Sequence, residues 1–167
     1  QLYEALVARC GGPATAEELS QRHFRLVCQL LEEYRVGPMP GLEEALSALR
    51  RRGIPFGVVS SSWRWYVERC LRELDMYEDA AVIVTGSDGL PLKPAPAPYQ
   101  AAARVFRPAP PGAVLAVEDS GSGVRSAVAA GLACAAVYNP DSGAQDLSPA
   151  RWRLNSLYEL PALLDGN

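Results

Sequence analysis

The spacing of apolar residues changes its character near residue 37. Before that point apolar side chains recur every three or four residues, which is the period of an amphipathic helix. Helices are predicted over residues 2–10 and from Thr15 to about Arg35, the second opened by the capping-box pair Thr15 and Glu18. The run Gly37-Pro38-Met39-Pro40-Gly41 interrupts this pattern. We therefore predict two domains, residues 1–38 and residues 39–167.

Beyond residue 38, short apolar runs alternate with amphipathic segments. The predicted strands are 54–60, 80–85, 113–117, 134–138 and 152–154. The predicted helices are 42–52, 63–74, 99–106, 124–130 and 157–164. Continuous apolar strands that alternate with helices are typical of a parallel sheet covered on both faces. The pattern therefore predicts an α/β fold with a Rossmann-like parallel sheet between helices.

Composition narrows the class of protein. The net charge of the 167-residue chain is −3, and its one basic run, Arg50-Arg51-Arg52, closes a predicted helix, so a nucleic-acid partner is not expected. No apolar stretch is long enough to cross a membrane, and no signal peptide opens the chain. The four cysteines lack paired spacing and are expected to be buried free thiols, which favours a cytoplasmic location. With His23 as the sole histidine, a Ser-His nucleophile pair is disfavoured.

Polar residues follow three of the predicted strands. The strand ends read Ser60-Ser61-Ser62, Thr85-Gly86 and Glu118-Asp119-Ser120. In parallel α/β sheets, ligands bind beyond the carboxyl ends of the strands. We therefore expect a functional site at this edge of the sheet.

The acidic pair Glu118 and Asp119 is a candidate metal site. Neighbouring residues on a regular strand point to opposite faces, so two adjacent carboxylates converge only where a strand ends. Oxygen ligands at an open loop suit Mg²⁺, which keeps several waters and bridges to a substrate phosphate. An alternative is that Asp119 simply caps the following helix. Both readings stand at this point.

Ser60 and Lys93 are candidates for binding a phosphoryl group. The Ser60 hydroxyl and nearby backbone N–H groups, beside a helix N-terminus, suit phosphate oxygens, although Ser62 as a helix cap is an alternative reading. Lys93 is the only lysine among sixteen basic residues, and a compact ammonium can be aimed at one oxygen. The alternative for Lys93 is a surface residue without a role. Candidate phosphate- or substrate-binding residues are Ser60, Ser61, Lys93 and Arg64.

Three ordered motifs carry a specific resemblance. They are Gly57-Val58-Val59-Ser60-Ser61-Ser62, Lys93-Pro94-Ala95-Pro96, and the segment from Val117-Glu118-Asp119-Ser120 to Gly131. Together they resemble the haloacid dehalogenase (HAD) superfamily, in its β-phosphoglucomutase-like and phosphoglycolate-phosphatase-like branch. The resemblance covers residues 37–160, and residues 1–36 would then be part of a helical cap domain.

The resemblance implies a role for each motif. Ser60 would be the phosphate ligand and Lys93 the catalytic cation. Asp119 would bind Mg²⁺, and Glu118 would bind it directly or through water. The implied activity is Mg²⁺-dependent phosphoryl transfer on a small phosphorylated metabolite, with hydrolysis favoured over sugar phosphomutase chemistry.

The chain also departs from the family pattern. It has no Asp-x-Asp-Gly-Thr segment, which in the family supplies the nucleophilic aspartate, the acid/base aspartate and the strand between the Ser60 and Asp119 strands. Neither Asp88 nor Asp141 stands in a position to replace those aspartates. We expect the missing segment to come from the same polypeptide, ahead of Gln1. The alternative is a non-catalytic HAD-like module for binding or scaffolding in a larger protein.

Two smaller departures affect the lysine loop. Leu92 replaces the glycine that usually precedes the lysine, and Ala97 replaces an acidic residue that usually follows the Lys-Pro-x-Pro run. Both leave the ammonium of Lys93 in place.

Overall fold

A computed structural model describes residues 2–33, 37–110 and 113–165. The chain divides into two compact units, Gln1–Gly37 and Pro38–Asn167. Each unit is described by itself below.

The first unit contains two helices, α1 (Leu2–Cys10) and α2 (Ala16–Glu33). The predicted capping box is confirmed, because the Thr15 N–H donates to Glu18 Oε2 at 2.8 Å and the Glu18 N–H donates to Thr15 Oγ1 at 3.2 Å. Tyr3 on α1 and His23 on α2 share a hydrogen bond. The predicted end of the second helix at Arg35 lies outside the described residues.

The second unit alternates helices and strands, as the sequence predicts. Its helices are α3 (Leu42–Arg52), α4 (Arg64–Glu73), α5 (Ala97–Ala103), α6 (Gly121–Ala129) and α7 (Leu160–Asp165). Its strands are β1 (Phe56–Val59), β2 (Ala80–Val84), β3 (Leu115–Glu118), β4 (Ala133–Val137) and β5 (Trp152–Leu154). Short 3₁₀ turns cover 104–106, 140–142 and 157–159.

Local chemistry explains where the element boundaries differ from the predicted ones. β1 begins at Phe56 rather than residue 54 because Pro55 has no N–H to donate to a ladder. α6 begins three residues earlier than predicted because the Ser120 hydroxyl accepts a hydrogen bond from the Gly123 N–H at 3.1 Å and caps the helix.

The strands form two parallel groups. β1 pairs with β2, and β3, β4 and β5 pair in that order, with Val59 opposite Val84 and Glu118 opposite Ala136. Within the described residues no ladder joins β1 to β3. The family segment missing from this chain carries the strand between these two, so the resemblance implies a gap one strand wide at this place, and the two sheets are separate here.

β4 lies at the centre of the core, with both of its faces buried. Cys134 and Ala136 face one cluster, which includes Tyr99 of α5 and Val124 of α6. The alternate residues of β4 face a second cluster built from α3, β5 and α7. Helices therefore cover both faces of this sheet, as predicted for a parallel α/β fold.

All four cysteines are unpaired, which agrees with the predicted free thiols. The prediction that they are all buried is wrong, since Cys10 is exposed and only Cys134 is fully buried. Burial, with a smaller contribution from the Glu118 carboxylate, raises the pKa of the Cys134 thiol to about 11, so this thiol stays protonated near neutral pH. No helix among the described residues is both long enough and apolar enough to span a bilayer.

Candidate active site

One cavity separates the two sheets and reaches the carboxyl ends of β1 and β3. Its volume is about 1030 Å³, and apolar side chains of α3, β1, α5, β3 and α7 form most of its wall. Four of the predicted site residues line it as well: Ser60, Lys93, Glu118 and Asp119. Two of the three strand ends that the sequence singles out, those of β1 and β3, therefore border this cavity, whereas Thr85 and Gly86 do not line it.

Lys93 connects the ends of the two sheets. Its Nζ donates to Glu118 Oε1 at 2.5 Å, at the end of β3, and to the Val59 carbonyl at 3.2 Å, at the end of β1. The side chains of Lys93 and Glu118 are only 10% and 6% exposed. Lys93 is therefore not a surface residue, contrary to the alternative, and its catalytic role stays a prediction.

Glu118 is committed to partners inside the protein. Besides Lys93, its Oε1 accepts a hydrogen bond from the Tyr99 hydroxyl at 2.6 Å, and its Oε2 accepts one from Ser120 Oγ at 3.1 Å. A Cβ atom at Gly123 would lie 2.0 Å from the carboxyl carbon of Glu118, so only glycine leaves room for this carboxylate. Both oxygens of Glu118 therefore have donors.

Tyr99 is a site residue that the sequence reasoning missed. Burial, reinforced by the negative charge of Glu118, holds the pKa of the Tyr99 hydroxyl far above its ordinary value. The hydroxyl therefore stays protonated and remains a donor to Glu118. The available signal was a tyrosine on the apolar face of a predicted helix, since a buried tyrosine needs a partner for its hydroxyl.

Asp119 has a different arrangement from its neighbour. Its Oδ2 accepts hydrogen bonds from Asn139 Nδ2 at 2.7 Å and from Ser142 Oγ at 3.0 Å. Among the residues that the structure describes, no hydrogen bond reaches Asp119 Oδ1. The alternative that Asp119 caps α6 is wrong, because Ser120 occupies the cap position.

The arrangement of Glu118 and Asp119 decides whether Mg²⁺ fits the site. The described part of the chain contains no group of three or more His, Cys, Asp or Glu side chains arranged around a metal position. Mg²⁺ nevertheless binds through one or two carboxylates and completes its shell with waters and substrate phosphate. The open Oδ1 of Asp119 suits that mode. Glu118 would first have to give up a donor, so its role as a metal ligand stays a prediction.

The serine loop after β1 uses some of the groups predicted to receive phosphate. The Ser60 N–H donates to the Val84 carbonyl at 2.9 Å, and Ser60 Oγ accepts from the Ser62 N–H at 3.1 Å. The hydroxyl hydrogen of Ser60 remains to donate to a ligand. The alternative reading, in which Ser62 caps α4, is wrong. The Arg64 N–H at the start of this helix donates instead to Ser87 Oγ at 3.1 Å. Ser61 is exposed.

Arg64 is held by a separate network. Its Nη2 donates to both carboxylate oxygens of Asp88, at 2.8 and 2.9 Å, and to the Ile83 carbonyl at 3.3 Å, while Nη1 donates to Glu68. Asp88 also accepts from the N–H and the hydroxyl of Thr85, each at 2.9 Å. None of these contacts brings Arg64 to Lys93, so its role in binding substrate stays a prediction.

The same network shifts two pKa values. The hydrogen bond to Asp88 raises the pKa of the Arg64 guanidinium. For Asp88, burial is the largest single influence and raises the pKa. The hydrogen bonds from Thr85 and Arg64 together outweigh burial and leave the pKa of Asp88 below its ordinary value.

Comparison with known proteins assigns the chain to a family. The family model for haloacid dehalogenase-like hydrolases matches residues 3–131. The chain belongs to this family. Its α/β fold, its serine and acidic motifs at the ends of parallel strands and its lysine motif just before α5 agree with that assignment.

Named relatives include phosphatases. The Bacillus subtilis (strain 168) protein named "Putative phosphatase YhcW" is 32% identical over 165 residues, which covers 98% of this chain and 74% of the relative. Protein CbbY of Rhodobacter capsulatus is 29% identical over 154 residues, covering 87% of this chain and 66% of the relative. The crystal structure of CbbY from Rhodobacter sphaeroides in complex with phosphate superposes with a TM-score of 0.78 at 26% identity, covering 89% of this chain and 67% of that structure.

Proposed function

We propose that this chain is the major part of a Mg²⁺-dependent phosphatase that acts on a small phosphorylated metabolite, most simply a sugar phosphate. The observation that carries the proposal is that Lys93, Ser60 and Asp119 line one cavity, in which the Lys93 ammonium donates to the end of β1 and to the end of β3. Relatives support the substrate class: one is named for hydrolysis of validoxylamine A 7'-phosphate, and CbbY of Rhodobacter sphaeroides was crystallised with xylulose-(1,5)bisphosphate.

Each residue of the site has a task in this proposal. An ammonium has three donors, and the two acceptors described for Lys93 leave one N–H for a phosphoryl oxygen. The Ser60 hydroxyl donates to a second phosphoryl oxygen. Asp119 holds the metal ion, and Mg²⁺ supplies charge neutralisation for the phosphoryl group in transfer.

The proposal also requires a nucleophile. We propose that it is an aspartate on a further segment of the same polypeptide, which lies as a strand between β1 and β3. Its carboxylate attacks phosphorus and breaks the ester bond, and a second aspartate of the same segment would protonate the departing oxygen of the substrate. The same aspartate would then take a proton from water, which attacks phosphorus, releases inorganic phosphate and restores the carboxylate. Support comes from the cavity, because its walls are apolar strand and helix faces while its one end carries the polar site residues. Buried strand edges without partners cost about 1–3 kcal/mol for each unpaired polar group, so a paired strand there is favoured.

We also propose a cytoplasmic location. It is supported by four cysteines without a disulfide, since free thiols persist in reducing compartments.

The test compares two polypeptides in one assay. Residues 1–167 and a longer form that includes the coding sequence upstream of Gln1 are each given p-nitrophenyl phosphate and a panel of sugar phosphates, with Mg²⁺ or with EDTA. We expect turnover from the longer form with Mg²⁺ only, and its loss in Lys93→Met. Absence of turnover from the longer form with every substrate would contradict the proposal and favour a binding module.

A further inference from the structure

We propose that Asn139 and Ser142, on the loop after β4, are positioning residues that aim one oxygen of Asp119 at the metal ion. The inference deepens the proposed function and rests on Asp119 being the metal ligand. Neither residue belongs to the three motifs of the serine, lysine and acidic segments. Their role follows from the hydrogen bonds that they make to a single atom.

The first step is that both donors select the same oxygen. Asn139 Nδ2 lies 2.7 Å and Ser142 Oγ lies 3.0 Å from Asp119 Oδ2. Two donors on one oxygen fix the rotation of the carboxylate about its last bond, because turning it would break both bonds. Oδ1 is thereby left as the oxygen that faces away from the loop and accepts no described hydrogen bond.

The second step is that the loop itself is held in place. The Asn139 side-chain oxygen accepts from the Asp141 N–H at 3.0 Å, which stiffens the turn. Gln145 ties the loop to helix α6, because its amide oxygen accepts from the Gly121 N–H at 2.9 Å and its Nε2 donates to the Ser142 carbonyl at 2.7 Å. The two donors therefore keep fixed positions relative to Asp119.

The third step is the contrast with the preceding carboxylate. Glu118 has donors on both oxygens, from Lys93 and Tyr99 on one and from Ser120 on the other. Asp119 has two donors on one oxygen and none described on the other. A carboxylate arranged in the second way is oriented and still able to bind a cation, which is the arrangement that ligands of metal ions commonly have.

The experiment measures Mn²⁺ binding to the 167-residue chain and to the longer polypeptide, by electron paramagnetic resonance of free Mn²⁺. Outer partners of metal ligands typically contribute about 10–100-fold to metal affinity. We expect the double variant Asn139→Ala/Ser142→Ala to bind Mn²⁺ at least about tenfold more weakly. Ser142→Thr keeps the hydroxyl and should restore most of the affinity lost in Ser142→Ala.

A matched control separates positioning from general damage. Asn155 donates its side-chain amide to Glu159 at 3.0 Å at an exposed turn, so Asn155→Ala removes a comparable bond away from the cavity. We expect this variant to bind Mn²⁺ as the unaltered protein does. In the longer polypeptide, we expect the double variant to need more Mg²⁺ for half-maximal activity, with little change in kcat at saturating Mg²⁺.

The outcomes distinguish this inference from the proposed function. Equal Mn²⁺ affinity in the unaltered protein and the double variant, or no difference between Ser142→Ala and Ser142→Thr, would overturn the positioning role. Failure of the unaltered longer polypeptide to bind Mn²⁺ would overturn the positioning role as well. If Mn²⁺ binding depends on both residues while no phosphate ester is hydrolysed, the positioning role stands and the phosphatase proposal fails.

Discussion

Among the cation–carboxylate pairs of the second unit, Lys93–Glu118 and Arg64–Asp88 differ most clearly in their surroundings. The first pair is nearly buried, with side chains 10% and 6% exposed, and it lies in the wall of the cavity. The second is more open, with side chains 41% and 23% exposed, and it lies between helix α4 and the turn after β2. The first pair belongs to the site and the second fastens two elements of the fold.

The difference follows from the geometry of the two cations. A guanidinium is a planar fork, and that of Arg64 is spent on two carboxylates and one carbonyl of the protein. An ammonium is a compact charge, and that of Lys93 keeps one N–H after donating to Glu118 and Val59. A lysine at this place can hold a buried carboxylate and still reach a ligand.

Removing the buried cation should have the largest effect. Lys93→Ala leaves the Glu118 carboxylate buried without its counter-charge. We expect the free energy of unfolding to fall by about 3–5 kcal/mol and the activity of the longer polypeptide to be lost. Urea unfolding followed by circular dichroism measures the first effect. A loss below about 1 kcal/mol would show that the pair is no more important than a surface pair.

The second-largest effect should come from Tyr99, whose hydroxyl donates to the Glu118 carboxylate. Tyr99→Phe removes a donor from buried Glu118, and hydrogen bonds to charged groups contribute about 1.5–3 kcal/mol. We expect a fall in the free energy of unfolding within that range. Tyr158→Phe, at an exposed tyrosine, is the matched control and should change it by less than about 0.5 kcal/mol. Equal effects in the two variants would remove Tyr99 from the site.

The partly exposed pair Arg64–Asp88 should contribute less to the free energy of unfolding. Arg64→Lys keeps the charge but loses the fork that reaches both oxygens of Asp88. We expect a loss of about 1 kcal/mol or less, since the pair is partly exposed and screened by solvent. Arg69→Ala, which removes an exposed pair with Glu73 one turn along α4, should have a still smaller effect. A loss in Arg64→Lys as large as that in Lys93→Ala would break the distinction between the two pairs.

The smallest expected effect concerns how the free energy of unfolding depends on pH in acid solution. The pKa of Asp88 is lower in the folded protein than in the unfolded chain, so the unfolded state binds more protons as the pH falls. The contribution of Asp88 to stability is complete above its unfolded pKa of about 4 and is lost as the pH falls through the lower folded value. We expect Asp88→Asn to have a shallower loss of stability below pH ~4, measured by unfolding at several pH values.

Much of the fold could be predicted from apolar spacing. The sequence of β4 is an example, because its continuous apolar run indicates a strand buried on both faces. The structure has helices packed on both faces. The first and last residues of helices and strands are harder to predict, since they depend on single contacts. Ser120 caps α6 through its hydroxyl and so moves the start of that helix, and Pro55 shortens β1.

The site was predictable only in part. Ser60, Glu118 and Asp119 could be predicted because they stand at the ends of strands, and Lys93 because it is the only lysine and belongs to a motif. Their partners were not found, because Tyr99, Asn139 and Ser142 reach the carboxylates through tertiary contacts across 19 to 23 residues of chain. Hydrogen bonds between such distant positions leave no periodic signal in a single sequence.

The burial of Lys93 between β1 and Glu118 also has a spectroscopic consequence. Because residues 1–167 contain a single lysine, isotope-labelled lysine supplied during expression of this chain marks one ε-methylene group in it. Its NMR resonance is assigned without mutagenesis. That one signal reports directly on whether an anion or a cation has arrived beside the ammonium.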